Sequence, residues 1–175
     1  LNNEILQTYL MKSIGIVSDT HGFWDNGLND FFAECDEIWH AGDIGSLELA
    51  DRINTFKQLR AVYGNIDDHK TRLAHPEFQH FSVENVSVLI THIGGKPGRY
   101  EPRVKEQLLK NPVKIFVCGH SHILRVQFDK AFNMLYINPG AAGNNGFHQV
   151  KTALRLKIDG ENIFDLEVWE KKRGI

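Results

Sequence analysis

Apolar residues along the chain fall into short β-branched runs, most of which end abruptly at a glycine or a polar side chain. Residues 13–18 (SIGIVS) make the first, a strand that runs into Asp-Thr-His-Gly. Residues 26–34 then place Leu28, Phe31 and Phe32 at helical spacing, and 37–40 (EIWH) form a second strand broken by Ala41-Gly42-Asp43. Ser46 is placed to cap a helix reaching about residue 58, with Leu47, Ala50, Ile53 and Phe56 sketching one face. A third strand, 59–63, is cut off by Gly64-Asn65. This alternation is the grammar of a parallel sheet whose right-handed crossovers gather the loops on one edge.

Beyond residue 78 the pattern changes. Residues 79–83 and 86–91 flank the two-residue turn Glu84-Asn85 and predict a hairpin. Residues 101–110 suit a helix, with Pro102 in its first turn and Pro112 past its end. A buried strand at 114–118 (KIFVC) ends at Gly119-His120, and strands at 124–128, 132–138 and 151–158 follow. The last strand, 163–169, lies beyond the Asp159-Gly160 turn. In this final pair Leu154, Leu156 and Ile158 alternate with polar residues, as do Phe164, Leu166 and Val168, leaving one wet face. Parallel βα units followed by antiparallel strands predict two packed sheets with helices outside, one α/β sandwich over residues 11–172. Residues 1–10 read as an extension ahead of Met11.

Composition mainly excludes. The 175 residues are 42% hydrophobic and 24% charged, enough for a core and against disorder. Twenty basic against 22 acidic residues argue against a chain that grips nucleic acid or an anionic membrane by charge. Cys35 and Cys118 form no CxxC pair and fit a reduced, cytoplasmic chain. No apolar run approaches the ~18 residues of a membrane helix, and the first residues lack the pattern of a signal peptide.

The histidines, nine in all, alter the picture by where they stand. Asp19 and His21 follow the first strand, Asp43 the second and Asn65 the third; His92 follows the hairpin, and His120 and His122 follow KIFVC. Open α/β sheets bind ligands beyond the carboxyl ends of their strands, so these side chains should converge. A lone DxH, GD or GN is common, whereas five strand ends furnished in this way are hard to arrange by accident. Oxygen and imidazole donors without thiolate suit Mn, Fe, Zn, Co or Ni. With one bridging carboxylate the set could serve two ions ~3.5–4 Å apart, which would ionise a water between them and clamp a phosphate oxygen. Two divalent ions, two aspartates and a hydroxide leave a positive centre that attracts an anionic substrate.

In this order the residues resemble the calcineurin-like metallophosphoesterase superfamily, whose pattern is D-x-H, G-D, G-N, H and G-H-x-H. The likeness runs from about Met11 to Gly143 and includes the Asn138-Pro139-Gly140 turn; the MKSIGIVSDTHG opening is similar to the compact YfcE-type phosphodiesterases. The resemblance implies a four-layer αββα sandwich of two mixed β-sheets flanked by helices. It implies one metal on Asp19, His21, Asp43 and His122, and a second on Asp43, Asn65, His92 and His120, with manganese favoured. It further implies a bridging hydroxide that attacks phosphorus in line. Many monoesterases of the superfamily follow GN with a histidine thought to protonate the leaving group. Here Ile66 stands in that place. The expected reaction is therefore hydrolysis of a small phosphodiester, with phosphomonoesters as the nearest rival.

Several residues have two readings. Asp67 is the titratable group nearest to Ile66, a weak candidate acid that reads first as the N-cap of the next segment. His40 could orient a ligand or simply pack at a strand end. Lys96, Arg99 and Arg103, in and after a glycine-rich segment, could grip a phosphate or form a solvated basic loop. His75, His80 and His148 read as surface or structural, with His148 the best outsider because it follows the NPGAAGNNG loop. Cys118, Trp39 and Phe116 read as core. A non-catalytic scaffold of the retromer-subunit type would be expected to have lost ligands, and a nuclease to need a longer, more basic chain. The wet-faced last strands could pair two copies of the chain or face solvent.

Overall fold

The computed structural model describes residues 11–174; the expected extension at 1–10 lies outside them. The first sheet is built around β1 (Lys12–Val17), which pairs parallel with β2 (Glu37–His40). Next comes β3 (Gln58–Ala61), parallel to β2. On its other side β1 meets β11 (Val150–Asp159) antiparallel, and β12 (Asn162–Lys172) closes the order β12-β11-β1-β2-β3. The second sheet contains β4 (Phe78–Val83), β5 (Val86–Thr91), β8 (Ile115–Val117), β9 (Leu124–Asp129) and β10 (Met134–Pro139). Its order is β4-β5-β8-β10-β9, with β5, β8 and β10 parallel. A small ribbon of β6 (Gly95–Lys96) and β7 (Arg99–Tyr100) stands apart from both.

Period-two alternation explains how the sheets stack. Ile14 and Ile16 of β1, Trp39 of β2 and Leu156 of β11 face Ile90, Val117 and Ile137 of the second sheet in one buried cluster. The opposite face of the first sheet, Val17 and Ile38, packs on Leu28 of α1 (Gly27–Phe31) and on Leu49, Ala50 and Ile53 of α2 (Leu47–Phe56). The outer face of the second sheet, Leu89, Phe116 and Tyr136, packs on Val104 and Leu108 of α4 (Pro102–Lys110). Helix, sheet, sheet, helix is the expected α/β sandwich.

Differences from the sequence reading are local. The first helix is shorter, because the chain turns at residues 32–34 before β2. A third helix, α3 (His69–Ala74), was not anticipated, six residues being too few for a periodic signal. Its cap is Asp68, which accepts from the Thr71 amide at 2.9 Å, so the expectation that Asp67 caps it is corrected. On sheet edges β12 extends to Lys172.

Candidate metal centre

The loops leaving β1, β2, β5, β8 and β10 are laced together by backbone hydrogen bonds. Asp19 and His21 donate to the carbonyls of Gly42 and Asp43 at 3.0 Å, Gly119 to His92 at 2.9 Å, and Ala142 to Ser18 at 3.0 Å. Such close approach requires residues without side chains. A Cβ on Gly64 would collide with the Asp43 carboxylate, and one on Gly119 with the Ser18 hydroxyl. Asp19, His21, Asp43, His120 and His122 all have positive φ, between 48° and 67°. Left-handed backbone at non-glycine residues is costly, and here it is concentrated where polar side chains converge.

Two groups result. Asp19, His21 and His122 bring one donor atom each within 4.8 Å of one another, and Asp43, His92 and His120 do the same beside them. Asp43 lies between the groups, with Oδ2 3.7 Å from His21 Nε2 and Oδ1 3.3 Å from His92 Nε2. Asn65 Oδ1 is 3.0 Å from the same His92 nitrogen. The structure thus gathers all the side chains that the strand-end pattern singled out.

Hydrogen bonds show what this constellation lacks. Asp19 Oδ2 accepts from the Ser18 hydroxyl (2.6 Å) and the His120 amide (3.1 Å), whereas its Oδ1 is buried without a hydrogen bond. His21 Nε2 is likewise buried and unpartnered. His148 donates from Nε2 to the Gly143 carbonyl at 2.9 Å, so its Nδ1 accepts, and the donor 3.3 Å away is His122 Nδ1. That tautomer leaves His122 Nε2 as a bare lone pair 3.2 Å from Asp19 Oδ1. Two acceptors facing each other in a buried site call for a cation between them. Hydrogen-bond logic on the other side is similar. His92 donates from Nδ1 to Ala41 O at 2.8 Å and turns Nε2 toward oxygens of Asp43 and Asn65.

Electrostatics agree. Burial alone would raise the Asp43 carboxyl, yet His92, the Ile66 amide and His21 hold it below its ordinary value. Burial would lower the His92 imidazole, yet Asp43 and Asp19 raise it. The two shifts are largely the work of one pair, His92 and Asp43 facing each other at 3.3 Å. Oxygen and imidazole donors with no thiolate fit a pair of hard-to-borderline divalent ions, so these residues suit the group that the resemblance implies.

Other candidates are placed differently. His40 is fully buried; burial drops its pKa to about 4. Its Nδ1 accepts from the Gly42 amide (3.1 Å), and its Nε2 meets the Thr20 hydroxyl at 2.8 Å, so both nitrogens are occupied in holding the loop. Asp67 is equally committed. Its carboxylate accepts from the amides of Ile44 (3.1 Å), Gly45 (2.7 Å) and Gly64 (2.7 Å), which ties the GD loop to the GN loop and leaves no free acid. Lys96 and Arg99 line a cavity of about 590 Å³ with His120, while Arg103 is bound to Glu77 at 2.6 and 3.0 Å. His75 is half-buried, and His80 meets Gln107 at 3.2 Å.

Three supporting residues escaped the sequence reading. Ser18 holds one oxygen of Asp19. Asn138, read only as part of a turn, donates to the Gly119 carbonyl (2.8 Å) and the Ser121 hydroxyl (3.1 Å), fixing the GHSH loop. Arg72 donates to the carbonyls of Gly64, Asn65 and Asp67. Nothing in a lone arginine of a short helix signals that task.

Comparison with known proteins follows the same lines. The sequence is 27% identical over 165 residues to a "Probable metallophosphoesterase" of Methanothermobacter thermautotrophicus, covering 89% of this chain and 90% of that one. Its fold is shared with Vacuolar Protein Sorting 29 from Cryptosporidium parvum (TM-score 0.70, 16% identity, 93% and 98% of the two chains). A conserved protein of Streptococcus pneumoniae described as a predicted phosphoesterase has the same fold (TM-score 0.65, 17% identity, 93% and 99%). Residues 11–161 match the model of the calcineurin-like phosphoesterase superfamily domain, and with the convergence of its ordered aspartates, histidines and asparagine this establishes that the chain belongs to the calcineurin-like phosphoesterase superfamily.

Proposed function

We propose that the chain is a phosphodiesterase that works with two divalent metal ions, manganese favoured. The observation that carries this reading is the pair of donor groups with Asp43 between them, and the buried Asp19 oxygen and His21 nitrogen that find no hydrogen bond. Asp19, His21 and His122 would hold one ion and Asn65, His92 and His120 the other, with Asp43 serving both. Ions so held would supply Lewis acidity to phosphoryl oxygens and a water ionised near neutral pH for in-line attack. The chain's own part is to fix these donors, to exclude competing hydrogen bonds, and to bring Lys96 and Arg99 to the anionic substrate.

Preference for diesters rests on the protons available. Ile66 occupies the position after Gly64-Asn65 and half exposes an alkyl side chain, while Asp67 beside it is consumed by three amides. With no side chain placed there to protonate a poor leaving group, esters of acidic alcohols and diesters are favoured. The assay compares an activated diester with the matched monoester, using protein stripped of metal and then titrated with manganese. Metal-dependent turnover with the diester ahead is expected. A faster monoester would overturn the diester preference. No turnover with any divalent ion would instead support a protein-interaction role.

A further inference from the structure

A ridge of Ile93, Glu101 and Pro102 divides the surface beside His92 and His120 into two chambers. The first, about 500 Å³, opens at Asn65 and His92 and is walled by Tyr63, Phe78, Pro102 and Val104. The second, about 590 Å³, opens at His120 and Ser121 and carries Lys96, Arg99 and Arg125. Both volumes fall in the roughly 300–1,000 Å³ range of sites for small organic ligands. Both also open on the same donor group, so one bound phosphate could send an ester arm into each.

The chambers differ in what their charges are free to do. In the first, Arg103 is neutralised by its bidentate pair with Glu77, and its guanidinium lies over the Phe78 ring at 5.2 Å. Arg72 is spent on three backbone carbonyls and lies over the Tyr63 ring at 4.7 Å. What remains is aromatic, aliphatic and planar guanidinium surface, which suits a flat uncharged ring. In the second, Lys96, Arg99 and Arg125 have no ion-pair partner among the described residues, and Glu101 on the ridge is the one carboxylate of the lining. Three cations against one anion in a concave surface select an anionic group.

We propose that the substrate is an acyclic, two-armed phosphodiester, with a flat uncharged ring on one alcohol seated against Tyr63 and Phe78 and an anionic group on the other arm held by Lys96, Arg99 and Arg125. This rests on the phosphodiesterase reading above. It also excludes small cyclic diesters as preferred substrates, because both ester bonds of such a molecule close on one ring and cannot straddle the ridge.

The test is calorimetric binding of non-hydrolysable phosphinates, in which carbon replaces both ester oxygens, to the manganese-loaded protein, with turnover of an activated diester measured in parallel. The probes are methylphosphinates that carry an ethyl, phenyl or 5′-deoxyadenosin-5′-yl (adenosine) arm on phosphorus through carbon, and the same three arms on 3-carboxypropylphosphinate. Replacing ethyl with phenyl or adenosine should tighten binding roughly tenfold, the worth of one stacked ring. Phenyl and adenosine together tell a general aryl site from a nucleoside site. Replacing methyl with carboxypropyl should tighten binding roughly tenfold again, through a charge-assisted contact. Phe78→Leu, which keeps most of the volume, should erase the ring preference alone, and Arg99→Ala the carboxylate preference alone. Equal affinities across the series would overturn the two-chamber proposal even if the diester is turned over. Graded affinities without turnover would sustain the chambers and overturn the phosphodiesterase reading instead.

Discussion

The two donor groups are neighbours, yet they are held in different ways. Left-handed backbone is common to both, at Asp19, His21 and His122 in the first and at Asp43 and His120 in the second, but in the first two buried polar atoms, Asp19 Oδ1 and His21 Nε2, find no hydrogen bond. This half is anchored from outside by charge. Asp25, in the loop that follows His21, binds Lys151 of β11 at 2.6 Å and Lys171 of β12 at 2.9 Å. Around Asp43, His92 and Asn65 the donors already contact one another, at 3.3 and 3.0 Å. That half is anchored by neutral backbone amides gathered on Asp67. The contrast teaches that unmet polar atoms are tolerated where neighbouring structure over-determines the loop, here an ion pair fastened to the long terminal hairpin.

Asp43 lies between the halves, 3.7 Å from His21 Nε2 and 3.3 Å from His92 Nε2, so removing its charge should have the largest effect. Asp43→Asn is expected to lose turnover by well over 100-fold, since even losing a residue that merely supports a ligand costs 10–100-fold. Equilibrium dialysis should show both ions weakened together. Loss of one ion with the other retained at full affinity would separate the halves and remove the bridging role.

Next in size is the amide anchor. Asp67→Ala would strand the buried Ile44 and Gly64 amides at about 1–3 kcal/mol each and leave the part-buried Gly45 amide to water, so a stability loss of about 2 kcal/mol or more is expected in chemical denaturation. A catalytic acid would behave differently. Its removal would abolish the acid limb's partner in the pH–rate profile while leaving stability near that of the unmodified chain.

The ion-pair anchor makes a pH-dependent counterpart. Burial alone would raise the Asp25 carboxyl, but Lys151, Lys171 and the Gly27 amide bring it from 3.8 down to about 2. A group depressed on folding stabilises the protein above its unfolded value and loses that contribution as pH falls through the folded one. About 2 kcal/mol should therefore fade between pH 4 and pH 2. Asp25→Asn, compared with the unmodified chain by denaturation at pH 6 and pH 2.5, should be less stable at the higher pH and should flatten this slope. An unchanged slope would mean that the loop carrying His21 is not anchored by charge.

How much of this could be read beforehand depends on the kind of partner each residue has. Asp19, His21, Asp43, Asn65, His92, His120 and His122 were legible because each sits just past an apolar run, and parallel topology then brings strand ends together. The sheets and three helices were legible for the same reason, since periodicity reports burial. Anchors were not. Asp67 and Asp68 are adjacent and chemically identical, and only the fold decides that one gathers loop amides while the other caps α3. Arg72 and Asn138 bond to backbone carbonyls, and a carbonyl belongs to every residue, so it leaves no mark in the sequence. Arg103 stayed open between a phosphate grip and a solvated helix start because Glu77, its partner, lies 26 positions away.

The smallest effect should come from His148, and it distinguishes the halves most cleanly. Its carbonyl-fixed tautomer makes His122 a donor at Nδ1 and leaves Nε2 free to ligate. Nothing comparable supports His92, whose Nδ1 rests directly on Ala41 O. His148→Ala should therefore weaken one ion by roughly tenfold, the lower end for loss of a supporting residue because water can replace the acceptor. The other ion should keep its affinity. Stepwise cobalt titration followed by visible absorption would resolve the two. His148→Gln offers a carbonyl oxygen at the same place and should recover most of the loss, whereas a purely packing role for the imidazole would predict no recovery. A deficit in turnover with both cobalt steps unchanged would assign His148 to the substrate, and would leave the orientation of His122 to the backbone strain alone.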